Sequence, residues 1–234
     1  MAFEHPTSFM VDRAPLSNQN TIVRRAVFVD RDGVINRMFY QPEFGILDSP
    51  ANPDQFELFP GAGEAIAELN GLGLLVIVVS NQPGIAKGKF TPALLEAIEQ
   101  KMIANIEAAG GKLDAAYYCL HHPDAVLAEY RARCECRKPA PGLLLRAARE
   151  WNIDLTSSYM IGDGVPDIVA GRAAGATTLF VNARKCYNCE ALANHAAWPD
   201  YLVSDLNEAA TLIRNIEAGD LDSIQSFVLK CATP

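Results

Sequence analysis

Asp30 and Asp32 stand one residue apart, followed by Gly33, at the end of the apolar run Ala26–Val29. Alternate residues of an extended chain point the same way, so both carboxylates would share one side. Carboxylates that close repel unless a cation or a shared proton lies between them. Mg²⁺ suits such a pair, because it takes oxygen ligands and keeps waters that a phosphate can replace. Calcium loops use the same spacing, and Asp and Gly also form plain turns. A second stretch, Ser80-Asn81-Gln82-Pro83-Gly84, follows another apolar run. Its hydroxyl, side-chain amides and free N–H groups all donate to anionic oxygens. That makes Ser80, Asn81 and Gln82 candidate phosphate contacts, with Lys87 and Lys89 adding positive charge.

A third group is Cys119-x-His121 and, after twelve intervening residues, Cys134-x-Cys136. Three thiolates and an imidazole in two close pairs suit tetrahedral zinc, although each pair is tighter than the common two-residue knuckle. No open position is evident, which makes the zinc structural. His122 is left over as a supporting or surface side chain. Arg137-Lys138-Pro139 follows at once, so a zinc-pinned loop would position both cations. Arg137 suits a forked contact to a second phosphate or to sugar oxygens. Cys186-x-x-Cys189 offers too few ligands for a closed site and reads as unpaired thiols or a labile disulfide; His195 or Cys231 would have to complete any metal site there.

The elements that must position these groups alternate between strand and helix. Apolar runs at Ala26–Val29, Leu74–Val79, Asp114–Tyr118, Ser158–Ile161, Thr177–Val181 and Tyr201–Val203 read as strands, the longest as buried parallel ones. Helices are predicted from Pro60 to Leu72, from a Thr91-Pro92 cap to Ala109, from Pro141 to Trp151, up to Ala174, and from Leu206 to Ala218. This pattern predicts an α/β fold, a doubly wound, Rossmann-like parallel sheet, with its site at the carboxyl ends of the strands. Arg37–Pro60 reads as irregular, rich in turn residues.

The chain has 234 residues, a net charge of −8 and half its residues hydrophobic. That allows one substantial core and argues against a general nucleic-acid binder. No run approaches a membrane span, and Met1–Asn20 lacks the pattern of a secretory signal, which predicts a cytoplasmic protein. Cysteine clusters there suggest metal before disulfides. The predicted organisation is a flexible tail over 1–24, a single domain over 25–218 with a zinc loop at 119–136, and a C-terminal tail over 219–234.

Asp30-Arg31-Asp32-Gly33-Val34 after a strand resembles the first motif of the haloacid-dehalogenase-like superfamily of phosphohydrolases. Ser80, Lys138 and Gly162-Asp163-Gly164-Val165-Pro166-Asp167 resemble the second, third and fourth motifs, in the superfamily's order. The Cys-x-His and Cys-x-Cys loop is similar to that of its sugar-bisphosphatase branch, which takes in heptose-bisphosphate 7-phosphatases and the histidinol-phosphatase domain. The resemblance covers about residues 26–215. It implies Asp30 as nucleophile, Asp32 as acid and base, and Ser80 and Lys138 on the phosphoryl oxygens. It implies Mg²⁺ on Asp30, Asp163 and the Asp32 carbonyl, with Asp167 behind them, and zinc on Cys119, His121, Cys134 and Cys136. It further implies a flap over 37–60 without a large cap domain, with Arg37 and Tyr40 as flap contacts to substrate. The implied partner is a small phosphorylated metabolite, most of all a heptose bisphosphate, met by a monomer or weak homo-oligomer. Gly164 departs from the basic residue many heptose bisphosphatases carry after the motif aspartate, which leaves the sugar open.

Overall fold

The computed structural model describes residues 22–181 and 192–224. Six parallel strands form one sheet in the order β5-β4-β1-β6-β7-β8. They are β1 (Ala26–Val29), β4 (Leu75–Asn81), β5 (Ala115–Cys119), β6 (Tyr159–Gly162), β7 (Thr177–Val181) and β8 (Tyr201–Val203). The chain builds outward from β1 to β5 on one side, then returns beside β1 and builds outward to β8. Direction therefore reverses between β1 and β6, the switch point at which open sheets of this kind bind ligands.

Why the strands are continuously apolar follows from the two layers that cover them. Val27 and Val29 face one core with α1 (Ala62–Gly71), α2 (Pro92–Ala108) and α5 (Leu206–Ala218). Ala26 and Phe28 face the other, with α3 (Gly142–Trp151) and α4 (Val165–Ala174). All four β1 residues are fully buried. At roughly 1.5–3 kcal/mol for each large apolar side chain, this burial is what holds the first aspartate's strand in place. Thr91 caps α2 through its hydroxyl with Pro92 in the first turn, and Asp205 caps α5.

Several boundaries differ from the sequence expectation. The segment 37–60 contains an antiparallel hairpin, β2 (Phe39–Gln41) and β3 (Ile46–Asp48), whose tip is the predicted turn at Gln41–Gly45. Three-residue strands that expose Tyr40, Ile46 and Leu47 carry too little alternation to be read from sequence. Arg24 belongs to the fold, since its backbone bonds Asn152 and Asp154. Beyond Gly219 a short helix, α6 (Leu221–Ile224), returns Ile224 to the core. Cys186, Cys189 and Cys231 lie outside the described residues; His195 is exposed. Among the described residues no helix is long and apolar enough to cross a membrane.

Candidate active site

The carboxyl ends of β1, β4 and β6 deliver the acidic and hydroxyl groups to one place. Asp30 follows β1 directly, its N–H donating to the Ile161 carbonyl of β6 at 2.9 Å. Asp163 and Asp167 flank the start of α4, and the Gly164 N–H donates to Asp167 at 2.9 Å. Oxygens of Asp30, Asp163 and Asp167 lie within 4.8 Å of one another. Glycine is required where these pieces meet. Gly33 has φ +91°, and a Cβ there would stand 2.3 Å from Asp163 Oδ2; a Cβ on Gly162 would stand 2.1 Å from the Asp167 Cβ.

Lys138 reaches this cluster from the far side of the site. Its Nζ bonds Asp30 at 2.8 Å, Asp167 at 2.5 Å and the Val79 carbonyl at 2.7 Å, so all three ammonium protons have partners. Burial acts to lower the Lys138 pKa, yet Asp167 and then Asp30 raise it overall, and the side chain stays charged. Burial pushes the Asp167 carboxyl up to about 6, against the pull of Lys138 and with the push of Asp30. Asp30 and Asp167 thus share one ammonium, and Asp163 brings a third carboxylate to the same all-oxygen donor set. That fits a hard divalent cation such as Mg²⁺. Asp167, expected behind the metal ligands, has an oxygen within 4.8 Å of those of Asp30 and Asp163 and pairs with Lys138.

Asp32 lies apart from the carboxylate triad. Its Oδ1 accepts from Arg31 Nε at 3.1 Å and Asn36 Nδ2 at 2.9 Å; its Oδ2 accepts from Arg31 Nη2 at 3.0 Å and Gln82 Nε2 at 2.7 Å. Burial acts to raise the Asp32 carboxyl, but the Arg31 guanidinium and these hydrogen bonds hold it below the usual carboxylate range. The expected mutual repulsion of Asp30 and Asp32 is therefore met by separate cations, Lys138 and Arg31, because the chain turns at Arg31 instead of continuing as a strand. Arg31 and Asn36 were not among the expected site residues. A charged residue in a turn is by default exposed, and the only sequence signal is its place between two aspartates.

Of the donors at the end of β4, Asn81 and Gln82 play a different part from the one expected. Ser80 is buried inside β4 and accepts from Gln82 at 3.2 Å. The Asn81 amide is used on both sides by the Lys138 backbone, at 2.9 and 3.0 Å. Gln82 is fully buried on Asp32 and Ser80. Asn81 and Gln82 thus position Lys138 and Asp32, and neither amide stands free for a substrate as the sequence suggested. Arg37 pairs with Glu57 at 3.2 Å and lies over the Phe59 ring; Tyr40 is exposed on the hairpin. Lys89 pairs with Asp48, tying that hairpin to the loop after β4.

Cys119, the last residue of β5, gathers with His121, Cys134 and Cys136. The sulfurs lie 3.1–3.6 Å apart, and His121 Nδ1 is 3.4 Å from Cys136 Sγ. Ligands at ~2.3 Å from a tetrahedral centre stand about 3.7 Å apart, so a zinc ion fits with little adjustment. Its side-chain hydrogen bond with Cys119, against burial and with the help of Cys134 and His121, brings the Cys136 thiol down to about 5, while Cys119 is raised. Arg137 Nη1 reaches the His121 carbonyl at 3.4 Å, which ties the cluster to the segment bearing Lys138. His122 stays out of the cluster and caps Asp124 N–H.

Comparison with known proteins agrees with this geometry. A family model described as HAD-hydrolase-like matches residues 135–209. The D-glycero-beta-D-manno-heptose-1,7-bisphosphate 7-phosphatase of Escherichia coli K12 is 40% identical over 185 residues, covering 79% of this chain and 92% of that protein. The Yersinia pestis protein of the same name is 38% identical, covering 79% and 94%. The crystal structure of D,D-heptose 1,7-bisphosphate phosphatase from B. bronchiseptica, complexed with magnesium and phosphate, is similar at TM-score 0.66 and 30% identity, covering 82% of this chain and 99% of that one. The Burkholderia thailandensis structure of that name gives 0.56 and 27%, with the same coverage.

Proposed function

The chain belongs to the haloacid-dehalogenase-like phosphatases, and on that premise we propose that it removes the 7-phosphate of D-glycero-D-manno-heptose 1,7-bisphosphate. The observation that carries the chemistry is the meeting of Asp30, Lys138, Asp163 and Asp167 at the switch point of the sheet. The sugar comes from the names of the relatives at 38–40% identity.

In this reading Asp30 attacks phosphorus, forming an aspartyl-phosphate as the bond to the sugar oxygen breaks. Asp32 gives that oxygen a proton, then takes one from the water that cleaves the intermediate. At rest Asp32 is the anion, the form a base needs; the charge of an arriving phosphate favours the protonated form the first step needs. Lys138, held by Asp167 and Val79, and the Ser80 hydroxyl bind the phosphoryl oxygens. Mg²⁺, held by Asp30, Asp163 and the Asp32 carbonyl, would supply positive charge to those same oxygens. Zinc on Cys119, His121, Cys134 and Cys136 would fix the loop before Arg137 and Lys138. Arg137 is then placed for the 1-phosphate or the sugar, and Arg37 and Tyr40 for the sugar from the flap side.

The test is phosphate release with Mg²⁺ from both anomers of the heptose bisphosphate, fructose 1,6-bisphosphate and histidinol phosphate. The expected result is a kcat/KM preference of about a hundredfold or more for one heptose anomer, the β form of the relatives' names. Preference for histidinol phosphate, or equal weak release throughout, would discard the heptose. No release from any would make the chain a binding module.

A further inference from the structure

Between the two aspartates stands an arginine with no exposed surface. Its guanidinium lies 5.9 Å from the ring centre of Tyr118 on β5, and its charge acts on the buried Glu99 of α2. The backbone is pinned as well: the Arg31 carbonyl accepts from both Ile35 and Asn36, at 2.9 and 3.1 Å. A position that served only to turn the chain would leave this side chain in water, where a guanidinium is best solvated. Here it is buried, with Asp32 as its hydrogen-bonded ion-pair partner.

We propose that Arg31 is a positioning residue for proton transfer, its fork fixing the plane of the Asp32 carboxylate that faces the departing oxygen. This rests on the reading of Asp32 as acid and base. The fork takes one site on each carboxylate oxygen, through Nε and Nη2. Asn36 and Gln82 take the second site on each. A carboxylate offers about four such sites, so all are in use at rest. Proton exchange therefore needs one donor to give way, and Arg31 is the least able to. Its two bonds are parallel, and movement would strip both oxygens together. Asn36 or Gln82 can yield one oxygen while the fork keeps the carboxylate in plane. A lysine could balance the charge but not hold both oxygens, because an ammonium is a point donor.

The test compares two leaving groups. The alkoxide of a sugar needs a proton as it departs; p-nitrophenolate does not. A misplaced acid therefore penalises the sugar phosphate selectively, whereas general damage to the site penalises both. Arg31→Met is expected to lower kcat/KM for heptose 1,7-bisphosphate by about a hundredfold or more, the range of general acid catalysis, and for p-nitrophenyl phosphate by less than about fivefold. Arg31→Lys, which keeps a charge in the pocket, should show the same split at smaller size and serves if the methionine variant does not fold. Asp32→Ala is the control. If it shows the split while the Arg31 variants lose both substrates equally, or neither, the positioning role is overturned. If Asp32→Ala itself shows no split, the acid reading falls and this inference with it.

Discussion

Glu99 allows a prediction that depends above all on burial. It lies on α2 at a position where Leu95, Ile98, Met102 and Ile106 form the buried stripe, it is 2% exposed, and its Oε1 has no partner among the described residues. Burial pushes its carboxyl from 4.5 up to about 8, with Arg31 pulling down and Glu96 adding to the rise. The folded pKa is above the unfolded one, so the contribution is fully present below the unfolded value and is lost as pH rises. Between 4.5 and about 8 the unfolded chain releases this proton and the folded chain keeps it. Each pH unit in that window is worth about 1.4 kcal/mol. Glu99→Gln keeps the shape and cannot ionise. Relative to wild type it should gain about 2 kcal/mol by pH 6 and about 4 kcal/mol by pH 8, an upper bound of order 10 °C in Tm at this chain length. Urea unfolding of both proteins at pH 5, 6 and 8 measures this directly, because every other titrating group is common to the two. A gap that does not grow with pH, or a variant less stable at pH 8, would refute the reasoning. Glu99 would then be an anion paired with Arg31.

Three further outcomes follow from the site. Gly33→Ala should cost about 1–3 kcal/mol from its φ of +91° and displace Asp163, so isothermal titration should show weakened Mg²⁺ binding; unchanged affinity would separate Gly33 from the metal site. Elemental analysis should find one zinc per chain, lost in Cys136→Ser together with several kcal/mol of stability, since metal binding is folding free energy. Lys138→Met should lower kcat by about 10²–10³ or more, as expected for removing a charge from the developing phosphoryl oxygens; a rate near wild type in a steady-state assay would remove it from the chemistry.

The parts legible in the sequence were those whose signal is local. Apolar runs such as Val76–Val79 mark strands covered on both faces, and Gly33 and Gly162 mark places where side chains crowd the backbone. The Cys/His cluster was legible because its four residues stand in two close pairs that resemble the zinc loop of the sugar-bisphosphatase branch. What was not legible depends on side-chain direction. Asn81 and Gln82 carry the right donors for a phosphate, but tertiary packing aims them at the Lys138 backbone and at Asp32. Arg31 and Glu99 look like solvent residues by type. Their burial follows from a turn at Arg31 and from a helix face whose stripe includes Glu99 at one position. The hairpin at 39–48 escaped because its short strands bury almost nothing.

The central claim is that Asp30 carries the phosphoryl group. Acid quenching during turnover of the heptose bisphosphate, followed by peptide mass spectrometry, tests it most directly. The account predicts a phosphoryl increment on the peptide containing Asp30, absent in a folded Asp30→Asn variant that also lacks turnover. A phosphoryl group found on another residue, or full turnover by Asp30→Asn, would contradict it.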